Sequence, residues 1–227
     1  GITAPHFSIY ARAQAERLLT AAGYDGPRLV LGGGLRIYTT LDLDLFYQTE
    51  CAMRAHVERV AGGNPTAAPN TGTGGPCAAA VNLPVPPKLT LGVPRPVTNA
   101  ATVVIRPETG EILAMVGSLD YSNSGIQGNF NVAAQGLRQP GSAFKPFVYV
   151  SAFAAPNSDY TAAKMLLDVP TTFPQPGAPY TPRNEDGQFH GPVSVREALA
   201  NSYNIPAVRT LSDVTVGAVL QRARLLG

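Results

Sequence analysis

"RQPGSAFKPFVYVSAF", residues 138–153, is the stretch on which the interpretation of this chain depends. Apolar side chains fall on every side of the helix that it predicts, which is typical of a helix buried in a core. Ser142 and Lys145 stand three positions apart near its start, so their Cβ atoms would lie about 5–6 Å apart on one face. A serine needs a nearby base to act as a nucleophile, and burial lowers the pKa of a lysine towards that role. The spacing raises the hypothesis of a serine nucleophile activated by a lysine.

The composition is that of a globular protein with few charges. Of 227 residues, 44% are hydrophobic and 14% are charged, and the net charge is +2. No run of five basic residues occurs, which argues against nucleic acid as a partner. No apolar run is long enough for a membrane span, and no signal peptide is present. The chain starts inside what reads as ordinary structure, so we expect it to be a piece of a longer protein.

The first sixty residues predict helices around one short strand. Residues 5–22 have helical spacing, and Leu35–Thr39 reads as a strand. Thr40 is the predicted N-cap of a helix that runs to about residue 60. Asp42 and Asp44 would lie in its first turn, where the helix dipole favours acids, so we interpret them as structural.

Residues 61–99 are rich in proline and glycine, which predicts a long, loosely structured insert. Cys51 and Cys77 flank or enter this insert and are not spaced as metal ligands. They could be two separate thiols. They could also form a disulfide that fixes one end of the insert, which would suit an oxidising compartment.

After the insert the pattern changes to a hairpin followed by helices. Ala101–Arg106 and Glu111–Gly117 flank a "PETG" turn and predict two antiparallel strands. Residues 156–192 again read as irregular. Ser194 and Glu197 then have the spacing of a capping box before a short helix. The layout predicts an α+β fold in which an antiparallel sheet packs against helices.

A second motif, Ser202-Tyr203-Asn204, follows Ser142 by 60 positions. In an extended or loop backbone the first and third side chains share one side, where a hydroxyl and an amide could relay a proton and hold a carbonyl. Each motif alone is short enough to arise by chance. Together they match the serine-lysine set of penicillin-recognising enzymes, with Ser-Tyr-Asn in place of Ser-Asp-Asn.

The chain resembles the transpeptidase domain of class A penicillin-binding proteins along most of its length. The resemblance is carried by "GGLRIYTTLDLDL", "VVIRPETGEILAMVGSLDY", "RQPGSAFKPFVY" and "GPVSVREALANSYNIPAV". It implies the α+β fold that this family shares with serine β-lactamases. It also implies that residues 1–99 form an interdomain linker region containing the insert, and that 100–227 form the N-terminal part of the transpeptidase domain.

The resemblance implies roles for five residues. Ser142 would attack the D-Ala-D-Ala carbonyl of a peptidoglycan stem peptide, and Lys145 would be its base. Ser202 would carry the proton to the leaving amine, Asn204 would bind the substrate backbone and Lys145, and Tyr203 would contact substrate. β-Lactams would trap the serine as an ester, and no cofactor or metal is implied. The enzyme would act at the outer face of the bacterial cytoplasmic membrane, anchored by a segment that this chain lacks.

The sequence departs from the family at its third motif, Lys-Ser/Thr-Gly. The lysines are Lys88, Lys145 and Lys164, and none precedes Ser/Thr-Gly. We therefore expect an incomplete fold that is inactive alone and needs the remainder of the domain as a partner. Two other interpretations stay open: a serine β-lactamase, and a non-catalytic penicillin-sensing or scaffold module. A Ser-His-Asp triad is disfavoured by the order of the three histidines, and His190 is expected to be a polar loop residue.

Overall fold

The computed structural model describes residues 2–32, 34–64, 69–85 and 97–226. The chain divides into two compact units, Gly1–Leu137 and Arg138–Gly227. The predicted change of domain at residue 99 is not tested by this division and stays a prediction. Lys88 and part of the predicted insert lie outside the described residues.

Helices α1 and α3 pack on a two-stranded hairpin in the first unit. Its elements are α1 (Pro5–Ala21), α2 (Gly26–Gly32), α3 (Leu43–Val60), β1 (Thr102–Ile105), β2 (Ile112–Val116) and α4 (Val132–Gln135). The predicted hairpin is confirmed, because β1 and β2 pair antiparallel with Thr102 opposite Val116. The first predicted helix is also confirmed, with its end at Ala21.

Two predictions in the segment before α3 are wrong. Leu35–Thr39 forms no strand. Thr40 does not cap α3: its hydroxyl donates to the Ile112 carbonyl at 2.6 Å, which ties the segment to β2. The N-cap is Asp42, whose Oδ1 accepts from the Leu45 N–H at 3.0 Å. The structural interpretation of Asp42 is therefore confirmed, since this carboxylate satisfies a free helix N–H.

The described part of the insert is held against α3. Cys51 of α3 and Cys77 form a disulfide, so the second of the two open alternatives is correct. Both cysteines are buried in a small cluster with Ala55 and Ala80. The Arg59 guanidinium donates to the Ala80 carbonyl at 2.9 Å, one helical turn past this cluster. Sequence composition predicted looseness here because it does not record long-range links of this kind.

The second unit packs four helices with a short antiparallel pair of strands. It contains α5 (Lys145–Phe153), β3 (Met165–Asp168), β4 (Gly191–Ser194), α6 (Val195–Ala200), α7 (Asn204–Val214) and α8 (Val216–Leu225). Its buried core includes Tyr149, Ala152, Leu166, Val195 and Ala198. The predicted capping box at the start of α6 is confirmed in both directions between Ser194 and Glu197.

β3 and β4 were not predicted, because they lie within and beside the stretch that reads as irregular. They pair with Met165 opposite Ser194 and Asp168 opposite Gly191. Only four residues long and separated by 22 positions, they lack the run length and the tight turn that mark a hairpin in a sequence. Their pairing brings Asp168 beside the residue that precedes β4, which matters for the site described next.

Candidate active site

Ser142 lies in a short 3₁₀ turn, Gly141–Phe144, that leads directly into α5. Pro146 has no N–H to give to the Ser142 carbonyl, so the usual α-helical bond cannot form there. The Lys145 N–H donates to that carbonyl instead, which closes the tighter 3₁₀ ring. Residues three apart in such a turn lie above one another, so Ser142 and Lys145 face the same way.

The Lys145 ammonium is buried, with 9% of the residue exposed, and meets three oxygens of the second motif. Nζ donates to Ser202 Oγ at 3.0 Å and to Asn204 Oδ1 at 2.6 Å. It also donates to the Ser202 backbone carbonyl. The three donors of a charged ammonium are thereby matched by three acceptors. In its neutral form the amine would have two hydrogens and one lone pair, and it could accept a proton.

Burial lowers the pKa of Lys145 from its ordinary value, because desolvation disfavours the ammonium. The Glu185 carboxylate acts in the opposite direction through its charge. A lowered pKa enlarges the fraction of neutral amine at a given pH. The arrangement therefore has the property that a lysine base requires.

Ser142 is exposed, which suits a nucleophile that must reach a substrate. Among the described residues, neither its hydroxyl nor its backbone N–H has a hydrogen-bond partner.

The expectation of a helix buried on all sides is wrong for α5, since Val150 and Phe153 are about two-fifths exposed at 38% and 43%. The apolar surroundings are concentrated on the side that carries Val148 and Tyr149.

The second motif lies in the tight connection between α6 and α7. Ser202 has a left-handed backbone with φ of 56°. The Tyr203 N–H donates to the Ala198 carbonyl at 2.9 Å, and Asn204 is the first residue of α7. The predicted loop is thus a turn followed by a helix start, and it still places the side chains of Ser202 and Asn204 together around Lys145.

Tyr203 points elsewhere. Its half-buried ring packs against the core of the unit and stacks on the His190 ring, with 4.0 Å between centroids and 17° between planes. The structure thus brings four of the five predicted residues into one region around the serine and lysine, and it places the Tyr203 ring against His190. A role for Tyr203 in substrate contact stays a prediction.

Sequence reasoning missed a buried network behind the motif. Asp168, fully buried at the end of β3, accepts hydrogen bonds from Asn184 and from His190. Asn184 in turn accepts from the Asn204 N–H at 2.7 Å. His190 is a loop residue as expected, but it is tied to a buried carboxylate. The only signal in the sequence was a polar cluster, "RNEDGQFH", within a stretch that otherwise reads as a loop.

The described residues contain neither a metal centre nor a membrane-spanning helix. No group of three or more His, Cys, Asp or Glu side chains is placed to hold a metal ion there. Within the same residues, no helix is long and apolar enough to cross a membrane.

Comparisons with known proteins agree with the two motifs. The family described as the penicillin-binding protein transpeptidase domain matches residues 100–219, more than half of the chain. Penicillin-binding protein 1A of Neisseria lactamica is 37% identical over 138 residues, which is 60% of this chain and 16% of that protein. Penicillin-binding protein 1A of Escherichia coli K12 is 39% identical over 123 residues, 53% of this chain and 14% of that protein. The chain therefore spans a small part of the length of these relatives.

Solved structures show the same fold at low sequence identity. The PonA1 protein of Mycobacterium tuberculosis, in complex with penicillin V, superposes with a TM-score of 0.59 at 23% identity, covering 98% of this chain and 46% of that one. Penicillin-binding protein A of M. tuberculosis, as an imipenem acyl-enzyme complex, gives 0.53 at 22% identity, covering 94% and 44%. The predicted fold class, an α+β penicillin-binding-protein fold present in part, is thereby confirmed.

Proposed function

The chain belongs to the penicillin-binding protein transpeptidase family, and on that premise we propose that it carries the acylation machinery of a peptidoglycan D,D-transpeptidase. The observation that carries this proposal is the convergence of Lys145 Nζ on Ser202 Oγ and Asn204 Oδ1, one 3₁₀ turn after Ser142. A buried amine between a serine nucleophile and a hydroxyl relay is the arrangement that acyl transfer by this chemistry needs.

The donor step follows from these positions. Neutral Lys145 takes the Ser142 hydroxyl proton as Oγ attacks the carbonyl carbon of the penultimate D-alanine. The negative charge that forms on the carbonyl oxygen is stabilised by the free Ser142 N–H at the start of the helix. The peptide C–N bond then breaks, Ser202 passes the proton from Lys145 to the leaving amine, and D-alanine departs. An ester between Ser142 and the donor peptide remains.

The acceptor step reverses the proton transfers. An amine of a second stem peptide attacks the ester carbonyl and gives its proton to Lys145. Lys145 passes that proton to Ser142 Oγ as the ester C–O bond breaks, so the cross-link forms and the serine hydroxyl is restored. A β-lactam would enter the same way, but the amine formed when its ring opens stays tethered. Its adduct on Ser142 therefore retains the whole mass of the drug.

Partners and location follow from the same premise. We infer stem peptides and β-lactams as ligands, the remainder of the domain with its Lys-Ser/Thr-Gly strand as the partner, and the outer face of the cytoplasmic membrane as the location. The Cys51–Cys77 disulfide supports that location, because disulfides persist in oxidising compartments.

The test is covalent labelling of the complete natural gene product with a penicillin, followed by intact-mass and peptide mass spectrometry. The expected result is one adduct of full penicillin mass on Ser142, absent in Ser142→Ala and present in the matched variant Ser151→Ala on the same helix. Absence of any Ser142 adduct in the wild-type protein refutes an acyl-enzyme and favours a scaffold role.

A transpeptidase, a β-lactamase and a penicillin sensor would all form the Ser142 adduct, and two further measurements distinguish them. Rapid, continuing hydrolysis of nitrocefin would indicate a β-lactamase, whereas a transpeptidase shows one stoichiometric burst. Release of D-alanine from a stem-peptide donor together with an acceptor-linked product is expected of a transpeptidase. A protein that forms the penicillin adduct but releases no D-alanine would be a sensor.

A further inference from the structure

We propose that Asp168 is a positioning residue that sets the geometry of Lys145 through the side chain of Asn184. This inference rests on the proposed function and adds to it a group that touches neither Ser142 nor the lysine. Three observations support it: a buried carboxylate, two side-chain amides that are each held in one orientation, and a stacked aromatic pair. The contacts of this network lead from Asp168 to Tyr203 and Asn204, two consecutive residues of the second motif.

The Asp168 carboxylate is the fixed point of the network. It is fully buried at the last position of β3, opposite Gly191 of β4. Its Oδ2 accepts from Asn184 Nδ2 at 2.8 Å, from the His190 backbone N–H at 3.0 Å, and contacts His190 Nδ1 at 2.7 Å. A buried carboxylate is costly unless it is hydrogen-bonded, so these partners are held tightly to it.

The Asn184 amide can adopt only one orientation. Its Nδ2 lies between two acceptors, Asp168 Oδ2 and the Gln188 carbonyl at 2.9 Å. Its Oδ1 therefore faces the Asn204 N–H at 2.7 Å. A flipped amide would put an oxygen against two oxygens and an NH₂ against an N–H. Asp168 thus determines which atom is presented to the start of α7.

The Asn204 side chain is oriented by the same segment. Its Nδ2 donates to the Arg183 carbonyl at 2.7 Å, which leaves Oδ1 to accept from Lys145 Nζ at 2.6 Å. Arg183 and Asn184 are neighbours, so one segment holds both the backbone and the amide of Asn204. Displacing that segment would move one of the three acceptors around the lysine.

A second branch reaches the residue beside Asn204. The His190 ring, fixed to Asp168 through Nδ1, stacks on the Tyr203 ring. On its other side, His190 Nε2 lies 3.1 Å from Oδ2 of Asp186, a half-exposed carboxylate whose Oδ1 accepts from the Gln188 N–H at 3.0 Å. Asp186 therefore offers a matched control: both aspartates meet the same imidazole, and Asp168 is the one that accepts directly from the Asn184 side chain.

The experiment measures the second-order rate of acylation by a fluorescent penicillin in the complete natural gene product. Asp168→Ala is expected to lower the rate roughly 10- to 100-fold, because small displacements of a catalytic group have effects of that order. Asp168→Asn, which keeps one acceptor oxygen for the three donors, is expected to recover part of the rate. Asp186→Ala is expected to leave it close to that of the wild type. Equal rates for Asp168→Ala and Asp186→Ala overturn the proposal.

A double-mutant cycle distinguishes positioning from a general loss of stability. If Asp168 acts through Asn204, then Asp168→Ala has little further effect in an Asn204→Ala background, whereas independent effects add. Additive effects overturn the proposal. If Asp168→Ala does not fold, Asn184→Ala breaks the same link while leaving the bond to His190, and the cycle is run with it.

A measurement that does not depend on the reaction with penicillin tests this inference separately from the proposed function. The titration of the Lys145 ε-methylene, followed by NMR, is expected to shift in Asp168→Ala and not in Asp186→Ala. A wild-type protein that is not acylated refutes the function, and the NMR result then decides the inference by itself. A wild-type protein that is acylated, with an unmoved Lys145 titration in Asp168→Ala, refutes the inference alone.

Discussion

Asn204→Asp is the substitution that tests most directly whether Lys145 acts as a base. It replaces the amide oxygen 2.6 Å from Lys145 Nζ with a carboxylate of nearly the same shape. The negative charge favours the ammonium, so the pKa of Lys145, which burial lowers, is expected to rise. The neutral lysine that must accept the Ser142 proton then becomes rarer at neutral pH.

The size of the effect follows from the distance and the burial. Unit charges about 4 Å apart attract by about 4 kcal/mol at the effective dielectric constant of a protein surface, which corresponds to about three pKa units. Because Asn204 is only half-buried, we expect about 1.4–4 kcal/mol of this attraction to favour the ammonium. The neutral fraction, and with it the acylation rate at neutral pH, should fall about 10- to 1,000-fold.

The assay is the acylation rate of Ser142 by a fluorescent penicillin between pH 6 and 10. The acidic limb of the profile should move to higher pH in Asn204→Asp, and the rate should recover in part at the alkaline end. Asn201→Asp makes the same change at an exposed position just after α6, where the amide donates to the Glu197 carbonyl instead of meeting the lysine, and it should leave the limb in place. A lower rate with an unmoved limb would refute a base role for Lys145, since lost substrate contacts alone give that result.

Three further predictions concern stability, measured by urea unfolding. Replacing Cys51 and Cys77 by alanine should cost about 3.5 kcal/mol, the chain-entropy value for a sequence separation of 26, and reductant should have no effect on that variant. Ser194→Ala should cost about 1 kcal/mol through loss of the cap on α6, and Ser194→Gly clearly less. Tyr149→Phe should be neutral or stabilising, because the buried Tyr149 hydroxyl has no hydrogen-bond partner among the described residues. Tyr160→Phe should instead cost about 1.5–3 kcal/mol, because it removes the 2.6 Å hydrogen bond from the Tyr160 hydroxyl to the Asp213 carboxylate. Burial raises the pKa of Tyr160 to about 12. The stability that this raised pKa contributes is therefore complete below about pH 10 and is lost as the pH rises to 12. The same pH dependence of the unfolding free energy in the wild type and in Tyr160→Phe would contradict this.

The parts of the fold that the sequence predicted are those with local causes. The β1–β2 hairpin is encoded by two β-rich runs and the turn between them, and the cap of α6 by two residues three apart. The Ser142–Lys145 pair was equally local in the sequence, because the two residues are three positions apart. Such features need no knowledge of what lies far away in the chain.

The parts that were missed depend on distant partners. The N-cap at Asp42 instead of Thr40 follows from the bond between Thr40 and Ile112, 72 positions away. Asp168 and His190 meet only because β3 pairs with β4, and each strand alone is too short to give a periodic signal. A lone aspartate at the end of a short apolar run looks like a surface residue until its three donors are known.

The left-handed backbone at Ser202 has a consequence for laboratory evolution. A side chain at φ of 56° carries a conformational cost of about 1 kcal/mol that glycine avoids. Ser202→Gly would remove that cost together with the hydroxyl that meets Lys145. Leaving the buried Lys145 ammonium without that acceptor costs about 1–3 kcal/mol, which offsets or exceeds the gain in the backbone. Selection for heat resistance alone would therefore retain serine at this position.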